Sequence, residues 1–255
     1  MKASQYSSRR VYTVSESTGT VGSGILGERT ISAPCASRIV VSGPFQVELR
    51  VDESMQDDVM LRFRADDNVL PRVRARLRDG ALEIALEDGM YSDLSELKVS
   101  ARVGRIGELS ASGRASVTVH GLCGESVLLQ AAHASVIHAG GAARNLQLSA
   151  AGQSLVRLHV SEVRRLVLGA CDASTVQLEG ACDALSLSAS GAARVFAGRP
   201  AFQAREAQLD VSGATRVSLC VRERVTGRVR FPARATLACR GEIDLLGQYG
   251  VEPLS

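Results

Sequence analysis

The stretch LSASGRASV at Leu109–Val117 returns as LSLSASGAARV at Leu185–Val195 and as LDVSGATRV at Leu209–Val217. A repeat decides the architecture before any motif is read, because it makes the chain an array of one small unit. Aligning on the apolar residue after each Ser-Gly-like step gives Val117, Val136, Val156, Val176, Val195, Val217 and Leu237, at spacings of 19, 20, 20, 19, 22 and 20. Within units the alternation has period two, as in LQLSA, LVLGA and VQLEG, the mark of a strand with one buried face. Each unit reads as strand, tight turn, strand, second turn. A unit this short cannot bury its apolar face alone, and stacking on its neighbours does so. The expectation is an all-β fold: a right-handed parallel β-helix (solenoid) of about seven 19–22-residue coils, stacked about 4.8 Å apart.

Other columns agree. Eight residues before each anchor stand Leu109, Leu128, Leu148, Leu168, Leu187, Leu209 and Val229. Two residues after it come Val119, His138, Leu158, Leu178, Ala197, Leu219 and Cys239, with His138 the polar exception. The turn column reads Gly113, Ala132, Gly152, Asp172, Gly191, Gly213 and Ala233: small residues, or an Asp that tolerates a turn. Upstream, FQVELRV, VMLRFRA and RVRARLRDGALEIAL follow another grammar, in which Asp79-Gly80 marks a hairpin with Leu77 opposite Leu82 and Arg76 opposite Glu83. Such a segment suits a cap over the unpaired strand edges of the first coil. The expected division is a flexible lead-in at 1–27, in which YTV could add a strand, an N-terminal β cap with the first coils at 28–98, and the repeats at 99–250, all one domain.

Composition excludes several classes. Net charge is +3, and Lys2 and Lys98 are the only lysines, so basicity is carried by arginine and nearly cancelled by Asp and Glu. That balance does not call for nucleic acid. Cys35, Cys123, Cys171, Cys182, Cys220 and Cys239 form no CxxC pair and no zinc spacing, which leaves buried free thiols and no metal or cofactor. The N-terminal residues hold no apolar run of the kind a signal peptide needs, and no segment is long and apolar enough for a membrane span. The chain as written reads as a soluble, cytoplasmic protein.

The succession RADDN, then Leu70-Pro71, then DGALEI, ahead of repeats of the LxxSGxxxV kind, resembles the family named putative auto-transporter adhesin, head GIN domain. The resemblance covers about Ile31 to Leu246 and implies a bacterial β-solenoid, exported or associated with the cell envelope, without an established activity. The chain departs from the family pattern in having no recognisable export signal, and in Ala132-His133, Cys171-Asp172 and Pro232-Ala233 standing where other coils have Ser-Gly.

The candidate sites are few. Ser112, Ser190 and Ser212 lack the elbow context of a nucleophile; they read as turn hydroxyls bonded to backbone groups beside glycine. His120 and His159 share a column with Ala139 between them, about 10 Å apart and too far to share a zinc. His133 and His138 lie on different sides of a turn. Asp172, Glu179, Asp183 and Asp210 occupy different columns and should not converge into a carboxylate site. Arginine gives the better signal. Arg72, Arg74, Arg76 and Arg78 alternate along one strand, Arg62 and Arg64 along the one before, and Arg194 and Arg216 stack in one column beside Thr175 and Thr236. Together they suggest a face for an anionic partner, although Glu83 opposite Arg76 and Glu87 opposite Arg72 would neutralise part of it. The positions beside the turn serines, Arg114, His133, Gln153, Ala173, Ala192 and Ala214, are where such a side would be tuned.

These observations point to a non-enzymatic binding scaffold, adhesin-like and envelope-associated, presenting a flat side to a polysaccharide, lipid or protein partner. It would form a homo-oligomer, a trimer being the expectation. The alternatives are an intracellular self-assembling scaffold resembling bactofilins and a carbohydrate-active β-helix enzyme.

Overall fold

The computed structural model describes residues 19–55, 58–197, 201–247 and 249–251. The lead-in expected at 1–27 lies outside these as far as residue 18, and with it the strand considered for YTV. The cap is built from β1 (Thr20–Val21), β2 (Leu26–Ala33), β3 (Arg38–Ser42), β4 (Gln46–Val51), β5 (Val59–Asp66), β6 (Val73–Arg78), β7 (Ala81–Leu86), β8 (Tyr91–Ser92) and β9 (Leu97–Val103). Leu70–Arg72 makes a single 3₁₀ turn between β5 and β6. The chain thus enters strands at Thr20, ahead of the expected boundary at 28, because β1 pairs with β8 at Thr20↔Tyr91 and β2 pairs antiparallel with β5 from Leu26↔Asp66 onward. An edge strand that is half exposed shows little alternation, so its sequence reads as a loop.

The coils follow as β10 (Glu108–Ser112), β11 (Ser116–Ala131), β12 (Val136–Ala150), β13 (Leu155–Ala170), β14 (Thr175–Ala189), β15 (Arg194–Ala197), β16 (Phe202–Val211), β17 (Arg216–Val229), β18 (Arg234–Cys239), β19 (Glu242–Gly247) and β20 (Tyr249–Val251). The long strands bend round a corner. The first half of β11 stacks on β4 and its second half on β10. Two parallel ladders result. One runs β9–β4–β11–β12–β13–β14–β15–β17–β18–β20, the other β7–β3–β10–β11–β12–β13–β14–β16–β17–β19. This is the expected β-solenoid of about seven turns.

Between the ladders lies a core of aliphatic columns. Leu109, Leu129, Leu148, Leu168, Leu187 and Leu209 stack in register and all are buried. Val117, Ile137, Val156, Val176, Val195, Val217 and Ala235 form a second column on the other ladder. Stacking identical side chains at one strand spacing lets each branched methyl pack on its copy above and below, a regular way to reach interior packing density without aromatics.

In two coils the register differs from the sequence alignment. Ile137, not Val136, stacks on Val117, Leu129 replaces Leu128 beside Leu109, and Ala139 replaces His138 beside Val119. In the last coil Ala235 stacks on Val217, Leu237 on Leu219 and Gly227 on Leu209, in place of Leu237, Cys239 and Val229. Adjacent apolar residues such as Leu128-Leu129 and Val136-Ile137 offer two registers of equal hydrophobicity, and a one-residue slip exchanges the faces of a strand. The slip is decided by the polar neighbour: burying Val136 would bury the His138 ring where Ala139 now fits.

The turn column is likewise Gly113, His133, Gly152, Asp172, Gly191 and Gly213, with φ of 66, 52, 68, 58, 74 and 71°, so His133 takes the place assigned to Ala132. The neighbouring outer column accordingly holds Ala134 rather than His133. Left-handed backbone is what the turn demands, and small size follows from stacking: a Cβ on Gly213 would stand 2.6 Å from the Gly191 carbonyl oxygen. The serines of Ser112, Ser190 and Ser212 do not supply the expected backbone bonds among the described residues. The corner hydroxyls are instead buried three residues later, at Ser135, Ser154, Ser174 and Thr215. Ser135 Oγ donates to the Ala111 carbonyl at 2.9 Å and Thr215 Oγ1 to that of Ser212 at 2.7 Å.

The cap is not collinear with the sequence. The rung made by β3 and β4 lies between the β7/β9 rung and the β10/β11 rung, although it precedes both in the chain. The terminal rung is sealed by antiparallel pairing, β5 on β9 and the β6–β7 hairpin, where Leu77↔Leu82 and Arg76↔Glu83 are opposed as expected. Asp79 and Gly80, at φ 49 and 74°, close that hairpin. Buried Asp66 ties the N-terminal strands to this end. Its carboxylate accepts from the Gly24 N–H at 2.8 Å, the Ser95 N–H at 2.9 Å and the Ser95 hydroxyl at 3.0 Å. Asn68 Nδ2 donates to the Val21 carbonyl at 2.8 Å. The RADDN motif is therefore the clasp of the cap.

Two expectations follow. The Ser95 backbone N–H, foremost, with the Ser95 hydroxyl and the Gly24 N–H, holds the Asp66 carboxyl below the usual carboxylate value. Its stabilising contribution is complete above the ordinary carboxylate pKa and is lost as pH falls through the lowered folded value. Asp66→Asn should lower Tm near neutral pH, and its deficit against wild type should shrink on acidification; a pH-independent deficit in a thermal melt series would contradict this role. Gly213→Ala should cost about 1–2 kcal/mol from the left-handed backbone alone, or roughly 2–8 °C in Tm, while Ala214→Ser on the exposed outer column leaves Tm unchanged.

Candidate functional site

Alternation along each strand sends every second side chain outward, so stacked coils turn outward residues into columns running along the axis. The ladder beginning at β9 carries Glu48, Thr118, His138, Arg157, Gln177, Phe196, Ser218 and Thr236 in one such column. Arg50, His120, Gly140, His159 and Glu179 form another. His120 and His159 do share a column, but Gly140 rather than Ala139 lies between them. His159 Nδ1 is 3.3 Å from Glu179 Oε2, and His120 Nε2 is 3.8 Å from Glu48 Oε1. Half-buried His138 has no partner for Nε2 among the described residues; burial, with the Arg157 charge adding to it, pushes its pKa down. No group of three or more His, Cys, Asp or Glu among the described residues is placed to hold a metal.

The acidic candidates are dispersed. Asp172 sits at a corner and accepts from the Gly152 N–H at 3.0 Å. Glu179 faces His159, and Asp210 lies on the second ladder, 3.4 Å from Arg230. Asp183 lines a shallow hollow of about 640 Å³ on the third side, with Arg144, Arg164, Arg205 and Arg222. Charge there alternates: Glu125 holds Arg144 at 3.0 Å and Glu223 holds Arg205 at 3.8 Å. The thiols are less uniformly buried than expected. Cys182 and Cys220 are buried, whereas Cys35 is exposed; burial, chiefly, pushes the Cys182 thiol up to about 12.

The arginines divide into three places. Arg62 and Arg64 extend outward from β5, in the ladder with β9, and Arg64 Nε is 3.2 Å from Glu96. Arg74, Arg76 and Arg78 stand on β6, which pairs with β7 in the other ladder, so the two sets do not form one face. Arg76 is 3.4 Å from Glu83 as expected, and Arg78 is 3.8 Å from Asp79. Glu87 is paired with Arg74, not Arg72; Arg72 closes the 3₁₀ turn, where its carbonyl accepts from the Glu87 N–H.

Arg194 and Arg216 are brought together as expected, next to Thr175 of the preceding coil, and the ladder adds a third member. Arg234, not Thr236, is paired with Arg216. All three are exposed, and none has an acidic partner within ion-pair distance among the described residues. Arg234 was hidden by the register slip of the last coil; aligning that coil on Ala235 would have found it. Two residues beyond Arg194 stands Phe196, 47% exposed, and three residues before Arg234, at the corner, stands Phe231, 78% exposed. Phe45, Phe63 and Phe202, by contrast, are fully buried. The exposed phenylalanines thus flank a column of three cations without acidic partners among the described residues.

Solved structures share the fold. A putative adhesin from Parabacteroides distasonis superposes with a TM-score of 0.78 at 17% identity, over 91% of this chain and 99% of that one. A putative adhesin from Parabacteroides merdae gives 0.73 at 15% identity over 92% and 99%. A protein from Parabacteroides distasonis described as a putative lipid binding protein gives 0.72 at 14% over 92% and 99%. At such identities these likenesses establish the fold alone. Among curated proteins none matches the sequence. The sequence pattern of one family, however, matches residues 37–241, from β3 to the edge of β19. With the clasp, the hairpin and the stacked turns all inside that span, the chain belongs to the family described as putative auto-transporter adhesin, head GIN domain.

Proposed function

We propose that this chain is a non-enzymatic, adhesin-like binding scaffold of the cell envelope, presenting the flat side of the ladder that ends in β20 to an anionic partner. The observation that carries the reading is the line Arg194, Arg216, Arg234. Several other arginines are matched by acids in the next strand or coil, as in Arg38–Glu108 at 3.3 Å and Arg224–Glu242 at 3.5 Å, or by a neutral partner, as in Arg157–Gln177. Here three guanidiniums stack with no such match among the described residues. A fixed row of cations at one strand spacing is stabilised by an external anion, and arginine is the residue suited to carboxylates and phosphates. Membership of an adhesin family supports a binding role, and the acids, histidines and serines weighed above are dispersed among the described residues. The reading includes association of copies into a homo-oligomer, which the exposed outer edges of β19 and β20 support, since each is paired on one side only among the described residues.

Exposed ion pairs contribute about 0.2–1 kcal/mol each, so removing three should weaken binding roughly 3–140-fold. The test compares wild type with Arg194→Ser/Arg216→Ser/Arg234→Ser on anionic and neutral lipid vesicles and on acidic and neutral glycans. Binding confined to anionic surfaces and lost in the triple variant is expected. Arg74→Ser/Arg76→Ser, which removes acid-paired arginines, should bind as wild type. Equal binding by wild type and the triple variant would overturn the reading.

A further inference from the structure

The ladder is a line, and its period selects among anions. Arg194, Arg216 and Arg234 occupy equivalent positions in successive coils, so their Cα atoms follow one another at about 4.8 Å along the solenoid axis. A lipid surface presents charge in two dimensions with no fixed interval, and a row of cations gains nothing from it that a scattered patch would not. A linear polymer with one anion per repeat, and a repeat close to the strand spacing, can place every charge against its own arginine. Polyuronates are of this kind: each sugar carries one carboxylate, and although successive carboxylates turn about the axis of an extended chain, the long arginine side chains reach round to meet them.

The flanking residues agree with a sugar chain. Phe196 and Phe231 are exposed at the two ends of the row, on opposite sides of it, and an aromatic ring offers the flat apolar surface on which the C–H face of a sugar packs. Continuing the column of Phe196 are Ser218 and Thr236, half-buried hydroxyls next to the arginines, able to exchange hydrogen bonds with ring hydroxyls. Asp172, at the corner of the coil below, directs its carboxylate to the Gly152 N–H and leaves the row unopposed.

We propose that the row Arg194–Arg216–Arg234, with Phe196 and Phe231, is a binding site for an acidic polysaccharide of the polyuronate kind, lying parallel to the solenoid axis with one carboxylate on each arginine. The proposal rests on the anionic-partner reading above and narrows it to one polymer chemistry. Each contact is solvent-exposed and weak, so affinity must come from several contacts made by one chain. A single uronate therefore binds negligibly, and affinity rises with length until three consecutive carboxylates are engaged.

The experiment measures binding of polygalacturonate, galacturonate monomer, dimer, trimer and hexamer, fully methyl-esterified polygalacturonate, and anionic phosphatidylglycerol vesicles by calorimetry and co-sedimentation. Expected are no detectable monomer binding, at least a tenfold gain from dimer to trimer, a smaller gain beyond it and loss on esterification. Arg216→Ser, which breaks the middle of the row, should cost more than Arg194→Ser at its end, and Phe196→Ala should weaken polygalacturonate without changing binding to vesicles. Circular dichroism of each variant confirms that the solenoid is intact. If vesicles bind in an arginine-dependent way and polygalacturonate does not, the anionic-partner reading stands and the polysaccharide site falls. If neither binds, both fall. Binding of the polymer without length dependence, or unchanged in Arg216→Ser, also overturns the site.

Discussion

Everything in this molecule depends on the in-register stacking of one coil on the next. Parallel pairing joins residue to residue along the whole ladder, from Lys98↔Gln46 through Gln46↔Ser116 to Arg216↔Arg234. A backbone hydrogen bond contributes about 1 kcal/mol net, but leaving its groups buried and unpaired costs more, so the coils have little freedom to slide. Each position in one coil is thereby committed to the same column as its counterpart in the next. Aliphatic columns then fill the interior, and corners must accept a left-handed turn that fits against identical turns above and below. Gly191 shows the severity of that fit: a Cβ there would stand 2.8 Å from the Asp172 backbone nitrogen of the turn beneath it.

That constraint also explains what the sequence disclosed. Period-two alternation and a recurring turn are local signals, and they sufficed for the solenoid, for the Leu109 and Val117 columns in most coils, and for the Asp79-Gly80 hairpin. Register failed where two adjacent residues were equally apolar, at Leu128-Leu129 and Val136-Ile137, because hydrophobicity cannot choose between them and only the burial of His138 or Ala139 does. It failed again in the last coil, where Pro232-Ala233 was aligned as a Ser-Gly step and Arg234 slipped out of its column.

The cap was legible in its parts and not in its order. FQVELRV and DGALEI are recognisable strands, yet nothing local says that β3 and β4 will lie between a rung that follows them and the first regular coil. That arrangement is set by long-range pairing, β7 on β3 and β9 on β4. It is held by groups remote in sequence, such as Asp66 bonded to Gly24 and Ser95. The arginines of the cap were misjudged for the same reason: Arg62 and Arg74 alternate alike in sequence but belong to different ladders.

The commitment of residues to columns gives outward charge a particular meaning. Copying a unit tends to copy its charge, and like charges one strand spacing apart repel by about 1 kcal/mol per adjacent pair even in the dielectric of bulk water. Most of this surface avoids that by alternation. On the third side Glu125, Arg144, Asp183, Arg205 and Glu223 mix signs within one hollow and its rim, and across the first rungs Arg38 meets Glu108. Other columns use neutral partners, as where Arg157 Nε donates to Gln177 Oε1 at 2.9 Å. Folding alone would favour the same solution at Arg194, Arg216 and Arg234, since a Gln or Glu in the middle position would remove the repulsion without touching the core. The row has no such residue among the described neighbours and is bordered by two phenylalanines that the solenoid could have buried or done without. A surface arrangement that opposes stability, at positions where the fold makes no demand, is what supports the proposal of a partner that neutralises it.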